Sequence, residues 1–225
     1  MSKYIYFATS CFQGLRQIEA YKKLKSLNPK AIQLCSGNLI DKDFIEHVSK
    51  EDKVHHNFSY KIVAPPVYNS KLELLTHDER SVHTPNKHLD SFDFKTWLNK
   101  QNENQVFEIM HPGYWLANDE QINYYLDSKR PVALDISHVY ILKCQNLISS
   151  KTEDRLKNYD NLKEIHISMN EGKKDSHLPA TKNSFMVDWV IERKECCPII
   201  YEGNFHKFTE QHLKSYVEDL YSWFE

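Results

Sequence analysis

Glycine is scarce in this chain, with five among 225 residues, and none of the five forms the Gly-rich turn that cradles a nucleotide's phosphates. The five cysteines (Cys11, Cys35, Cys144, Cys196 and Cys197) never fall in a Cys-x-x-Cys pair. That spacing argues against a zinc knuckle or a dithiol redox motif and leaves reduced, mostly core-filling thiols. A cationic excess is missing as well: 29 Lys+Arg stand against 31 Asp+Glu, for a formal charge of -2. Without a basic tail or stripe, binding to nucleic acid is disfavoured. Nor does any apolar run approach the roughly 20 residues of a membrane span, and the run Tyr4 to Ala8 is too short for a signal segment. These absences lead us to expect a cytoplasmic protein without a membrane partner. One core suffices at this length, so a single domain over residues 1–225 is expected.

What the chain does have is a repeated strand-then-helix rhythm. Tyr4 to Ala8 is β-branched and aromatic, and Leu15, Ile18, Tyr21, Leu24 and Leu27 follow at helical steps of three. Ala31 to Leu34 opens a second unit, with Phe44, Ile45 and Val48 on one face of its helix. Val54 to Phe58 reads as a third short strand. Beyond Ala64-Pro65-Pro66 the rhythm fades; Lys71 to Leu75 has strand character, and the polar stretch from His77 to Asp93 reads as loop with short helices. Order returns with a strand at Val106 to Met110. Asn118 and Gln121 form a variant capping box ahead of Ile122, Tyr125 and Leu126. Pro131 to Leu134 and Leu162 to Ile167 are further strands, Trp189 and Val190 mark a helix, and Pro198 to Tyr201 is a last strand. Thr209 caps a final helix with Leu213, Val217, Leu220 and Phe224 on its apolar face.

Strands alternating with helices imply a parallel sheet covered by helices. Glu108 to Asp135 is 27 residues, Asp135 to His166 is 31 and His166 to Glu202 is 36, close to the roughly 31 per unit of a (β/α)8 barrel. Acidic and imidazole residues thus recur where successive strands end, and in a closed parallel barrel those ends form one rim. The expected fold is an α/β (β/α)8 TIM barrel. His56 to Glu108 spans 52 residues, more than one unit and less than two, so the barrel is expected to be irregular or reduced around strands three to four.

The residues at those ends are the kind a divalent metal requires. Asp135-Ile-Ser-His138 places a carboxylate at a strand end and an imidazole three residues on; the plainer reading is an Asp that caps the next helix beside a surface His. Ile165 and Ile167 alternate with His166, so Glu164, His166 and Ser168 share a face, and an inward imidazole needs a partner, whether a metal or a core hydrogen bond. Asp175 and His177, at i and i+2 of a polar loop, project to one side. Glu108 and Glu202 each follow a buried apolar run, where a carboxylate is rarely left unpaired.

This ordered series, Glu108, Asp135-x-x-His138, His166, Asp175-x-His177 and Glu202, resembles that of the xylose isomerase-like TIM-barrel superfamily, which includes sugar isomerases and epimerases and endonuclease IV. In the endonuclease IV branch and related multinuclear iron oxygenases, these positions bind two or three metals. Upstream, Thr9 to Phe12, Ile32 to Gly37 and His55 to Phe58 resemble the first three strand regions of sugar phosphate isomerase/epimerase-like members. That likeness makes His56 a further ligand. Two departures stand out: Gln33 occupies a position where those relatives usually carry Glu, and the strand-four region with its own His is compressed or missing. His111-Pro112-Gly113 resembles that strand-four motif but follows Glu108 too closely for a separate strand. His111 is therefore expected either to substitute as a ligand or to line the rim and contact substrate.

The resemblance implies one to three ions of Mn, Fe, Zn or Co and a small-molecule substrate, a sugar or sugar phosphate. Isomerase or epimerase chemistry with Glu108 and Glu202 as the acid/base pair is the first expectation. A multinuclear iron oxygenase, an endonuclease IV-like phosphodiesterase and a degenerate, non-catalytic barrel that binds a sugar or protein are the alternatives. The small size and net charge disfavour the nuclease, and the compressed strand-four region favours the degenerate barrel.

Overall fold

The computed structural model describes residues 4–35, 53–56 (backbone only), 81–87 and 93–225. Eight parallel strands close into a barrel in sequence order: β1 (Ile5–Ala8), β2 (Ala31–Cys35), β3 (Lys53–His56), β4 (Ser81–Val82), β5 (Val106–Glu108), β6 (Val132–Asp135), β7 (Leu162–Ile167) and β8 (Ile199–Tyr201). Closure runs through β1, which pairs with β2 on one side and with β8 on the other. The expected barrel is therefore present, and strand four is shortened to two residues without being lost. The segments read from sequence as the second helix (Phe44 to Val48) and as a strand at Lys71 to Leu75 lie outside the described residues. Among the described residues no helix is long and apolar enough to cross a membrane.

Helices α1 (Gln17–Lys25), α2 (Phe94–Leu98), α3 (Asp119–Asp127), α4 (Ile136–Cys144), α5 (Ser150–Lys157), α6 (Val187–Glu192) and α7 (Glu210–Ser222) accompany the strands. Several start on a side-chain cap: Asp93 accepts from the Thr96 amide, Asn118 from Gln121, Ser149 from Thr152 and Thr209 from His212. Each satisfies an amide that the first turn would otherwise leave bare, worth about 1 kcal/mol. The Asn118 and Thr209 caps are those expected from sequence. Helices α2 and α5, of five and eight residues, are not among those read from sequence.

The strands present two unlike faces. Ile5, Phe7, Ile32, Leu34, Ile165, Ile167, Ile199 and Tyr201 point outward against α1, α6 and α7, and Phe107, Val132 and Leu134 against α2 and α3. The alternate residues face inward, where Tyr6, Ala8, Cys35 and Ile200 form a small apolar plug. Around that plug the other inward positions are polar. Strand β7 carries an extra residue in its pairing with β6: Val132 opposes Leu162, but the next residue, Ala133, opposes Glu164. This bulge sets the phase of β7, because a one-residue slip in a strand exchanges its two faces.

Ile165, fully buried and outward-facing between two inward polar residues, isolates the structural side of the strand. An Ile165→Ala substitution is expected to lower unfolding stability by about 2–5 kcal/mol in a denaturant titration, while leaving metal uptake by the folded fraction unchanged.

Candidate metal centre

Each inward polar residue reaches the rim from its own unit. Glu108 ends β5, fully buried, and its two oxygens face three imidazoles: Oε1 lies 3.0 Å from His138 Nδ1, and Oε2 lies 3.2 Å from His83 Nε2 and 3.6 Å from His166 Nδ1. Burial alone would raise its pKa, but His83, His166 and His138 outweigh it and hold the carboxyl well below its ordinary range.

Asp135 ends β6 and serves in two ways at once. Its Oδ1 caps α4, accepting from the amides of Ser137 at 2.6 Å and His138 at 3.2 Å. The capping role weighed from sequence is thus real, yet it occupies one oxygen. The other, Oδ2, is buried without a hydrogen bond among the described residues and lies 3.7 Å from His138 Nε2. His138 sits in the first turn of α4, with Nδ1 3.0 Å from the Ile109 carbonyl oxygen and Nε2 3.4 Å from Asp175 Oδ2. His166 comes from β7, with Nε2 3.1 Å from Glu164 Oε1 and Nδ1 turned toward Glu108 and Glu202.

The Asp175 loop is held in place from both ends. Met169 and Leu178 exchange backbone hydrogen bonds at 2.8 and 2.6 Å, closing the loop at its base. Within it, Asn170 donates to the Ser137 carbonyl at 2.8 Å and accepts from the Gly172 amide at 2.7 Å, tying the loop to the first turn of α4. Asp175 Oδ2 then meets His177 Nε2 at 2.7 Å. His177 adopts a left-handed φ of 44°, and its Nδ1 lies 3.9 Å from Glu202 Oε2. Glu202 directly follows β8, its amide donating to the Ile167 carbonyl at 2.8 Å.

A second pair of loops is fastened across the rim. Asn86 and Tyr114 form an antiparallel bridge, and Lys87, Thr84 and Trp115 contribute hydrogen bonds to Gly113, Trp115 and Pro85 respectively. This brings His83, just beyond β4, and His111, just beyond β5, to the same side of His138, with ring centroids 6.4 and 5.0 Å from it.

Of the expected residues, Glu108, Asp135, His138, His166, Asp175, His177, Glu202 and His111 converge on one rim. The backbone of His56 ends β3, opposite Val82; its side chain lies outside the described residues. Gln33 is buried on β2 as a neutral amide. Two residues were missed. His83 lies just beyond strand four, where the sequence reading offers only His111 as a substitute: it is 27 residues past His56 and 25 before Glu108, so the awkward 52-residue interval is two short units. That even division was the available signal. Glu164 shares the face of His166 in the sequence reading but carries no role there.

The donor atoms suit a divalent cation. One oxygen or nitrogen each from Glu108, Asp135 and His166 fall within 4.8 Å of one another, as do those of His111, His138 and Asp175. Asp135 Oδ2, His138 Nε2 and His177 Nδ1 are buried and make no hydrogen bond among the described residues. Buried polar atoms are almost always bonded, and these three face the shared space. The donors are carboxylate and imidazole without thiolate, the set for Mn, Fe, Zn or Co and not for a structural zinc.

No protein-family model and no curated protein sequence matches the chain. Solved structures do. A D-tagatose 3-epimerase-like protein superposes with a TM-score of 0.64 at 15% identity, covering 98% of this chain and 96% of that one. Endonuclease IV from Thermus thermophilus superposes with a TM-score of 0.51 at 11% identity, covering 98% of both chains. Identities this low establish a shared fold, and it is the barrel expected from the sequence.

The buried charges give the metal-free protein a definite pH dependence. Burial opposes a charge on His166 and His177, yet Glu202 and Glu108 hold the first up to about 10 and Asp175 holds the second up to about 9. Both exceed the unfolded value near 6.5, so their stabilisation is complete below about pH 6.5 and is lost as pH rises through 9 to 10. Glu202, raised by burial to about 7, adds a loss between its unfolded value near 4.3 and 7. The depressed carboxyls Glu108 and Asp175 contribute fully above their unfolded values near 4 and do not oppose this trend. Chelator-treated protein is expected to melt at progressively lower temperature from about pH 7 to 10. Added Zn or Mn should flatten or reverse the slope, because a metal favours deprotonated ligands. A scanning-fluorimetry series across pH, with and without metal, measures both.

Gly172 tests the loop. Its φ is 77°, and a Cβ there would lie 2.7 Å from Cys144 Sγ. Gly172→Ala is expected to cost about 1 kcal/mol or more and to reduce metal retention by displacing Asp175, read by elemental analysis after gel filtration.

Proposed function

We propose that the chain is a metal-dependent enzyme acting on a small sugar or sugar-phosphate substrate by isomerase- or epimerase-type chemistry. The observation that carries this reading is the convergence of buried carboxylate and imidazole donors from successive units of the barrel, with three of their atoms left without hydrogen bonds among the described residues. Glu108, Asp135, His166 and Glu202 would hold one ion. His138, Asp175 and His177, with His111 beside them, would hold another, and His83 and His56 extend the set beyond Glu108. A bound divalent ion supplies a Lewis acid for a sugar carbonyl or hydroxyl oxygen.

The protein's own groups divide the remaining work. Glu108 is clamped between three imidazoles and is suited to holding a fixed charge. Glu202, raised by burial to about 7 without metal, is the less firmly ionised of the expected acid/base pair and is the one we assign to moving a proton. Tyr114, its ring 4.9 Å from His111, offers less polar surface beside the donors, as a sugar's C–H face requires. The D-tagatose 3-epimerase-like neighbour supports this choice of substrate class.

The endonuclease IV likeness supports phosphodiester hydrolysis as a second reading, against which stand the formal charge of -2 and the lower TM-score. The non-catalytic reading loses its main support now that His83 occupies the strand-four position.

Protein purified anaerobically is expected to hold at least two equivalents of a first-row divalent metal, and an Asp135→Ala, His166→Ala double variant to lose one of them. Wild-type protein that held and bound none would refute the proposal. Incubated in D2O with ketose and aldose phosphates, the metal-loaded enzyme should exchange deuterium at the carbon next to the carbonyl, seen by proton NMR. Glu202→Gln should slow that exchange by about 10²-fold or more.

A further inference from the structure

We infer that Glu164 is a positioning residue that selects Nδ1 of His166 as its metal-facing nitrogen. The inference rests on the metal reading above and adds to it a residue that is not a ligand. Glu164 is buried within the barrel on the same face of β7 as His166, and its Oε1 lies 3.1 Å from His166 Nε2. A carboxylate can only accept at that contact, so Nε2 carries the proton. The lone pair of the neutral ring is then on Nδ1, the nitrogen 3.6 Å from Glu108 Oε2 and 3.8 Å from Glu202 Oε2.

The backbone is built to make this contact. Without the β7 bulge, Lys163 would oppose Ala133 and face inward, with Ile165 and Ile167 behind it. With the bulge, Glu164 opposes Ala133 and His166 opposes Asp135. Glu164 and His166 therefore enter the interior together, one pleat apart.

His138 provides the contrast. There a backbone carbonyl, that of Ile109, accepts from Nδ1 at 3.0 Å, and Nε2 faces Asp135 and Asp175. The two imidazoles thus offer opposite nitrogens, each fixed by its partner on the far side. Glu108 Oε1 shares the His138 Nδ1 contact at 3.0 Å, so each ring has a carboxylate behind its protonated nitrogen and is the more basic donor for it.

The test uses ¹⁵N-labelled, zinc-loaded protein. Long-range ¹H–¹⁵N spectra should show His166 bound through Nδ1 with Nε2 protonated. In Glu164→Leu, zinc affinity at one of the sites should fall about 10–100-fold in chelator competition, the other site being retained. Glu164→Gln, whose amide oxygen still accepts from Nε2–H, should recover most of that loss and controls for folding. A purely structural ion pair would change the melting temperature of both variants without changing which nitrogen binds zinc. Coordination of wild-type His166 through Nε2, or unchanged zinc affinity in Glu164→Leu, would overturn the assignment while leaving the metal reading intact. Failure of the wild type to take up zinc or any other divalent ion would overturn both.

Discussion

Removing the Glu108 carboxylate from water is the constraint to which the rest of the rim answers. A buried carboxylate carries a desolvation penalty of several kcal/mol unless charge and hydrogen bonds replace its hydration. The replacement comes from His83, His138 and His166 at 3.0–3.6 Å, which belong to the units of β4, β6 and β7. No local segment could supply it. Barrel closure brings these groups to one place, so the site and the β1–β8 seam depend on each other although no site residue lies on β1.

Backbone detail then decides which atoms of those side chains remain available. The β7 bulge points Glu164 and His166 inward, and Asp135 divides its oxygens between a helix cap and the interior. Asn170 joins the Asp175 loop to the same turn of α4 that Asp135 caps. One turn of helix thus locates Asp135, His138 and Asp175 relative to one another. This explains how ligands far apart in sequence (Asp135 to Asp175 is 40 residues, His138 to Asp175 is 37) can be held around one space.

How much of this could be read from the sequence follows the physics of each element. From Val106 onward β5, β6 and β8 are apolar runs ending in or followed by Glu108, Asp135 and Glu202, β7 carries His166 between two isoleucines, and their spacing is that of barrel units, so the rim ligands were legible. The alternation Glu164, His166, Ser168 gave the right face of β7 without knowledge of the bulge, because the two isoleucines between them can only face the helices. Strand β4 was not legible: two residues, Ser81 and Val82, carry no period, and the backbone pairing to β3 and β5 that makes them a strand is non-local. His83 was hidden with it. The hydrogen bond from His166 to Glu164 was likewise invisible, since sharing a face does not specify which ring nitrogen meets the carboxylate.

The energetics also bear on why such an interior exists at all. A parallel barrel is ordinarily filled with branched apolar side chains, and replacing buried ion pairs with hydrophobic residues is often neutral or stabilising. Tyr6, Ala8, Cys35 and Ile200 show that this chain fills part of its interior in that way. Beside them it places Asp135 Oδ2, His138 Nε2 and His177 Nδ1 without hydrogen bonds among the described residues, each a cost of about 1–3 kcal/mol. Stability cannot account for that arrangement, because apolar residues at the same positions would avoid the cost. Cations held as proposed would offset it, one meeting Asp135 Oδ2 and another His138 Nε2 and His177 Nδ1, and would compensate the repulsion among Glu108, Asp135 and Glu202 that their shared burial imposes.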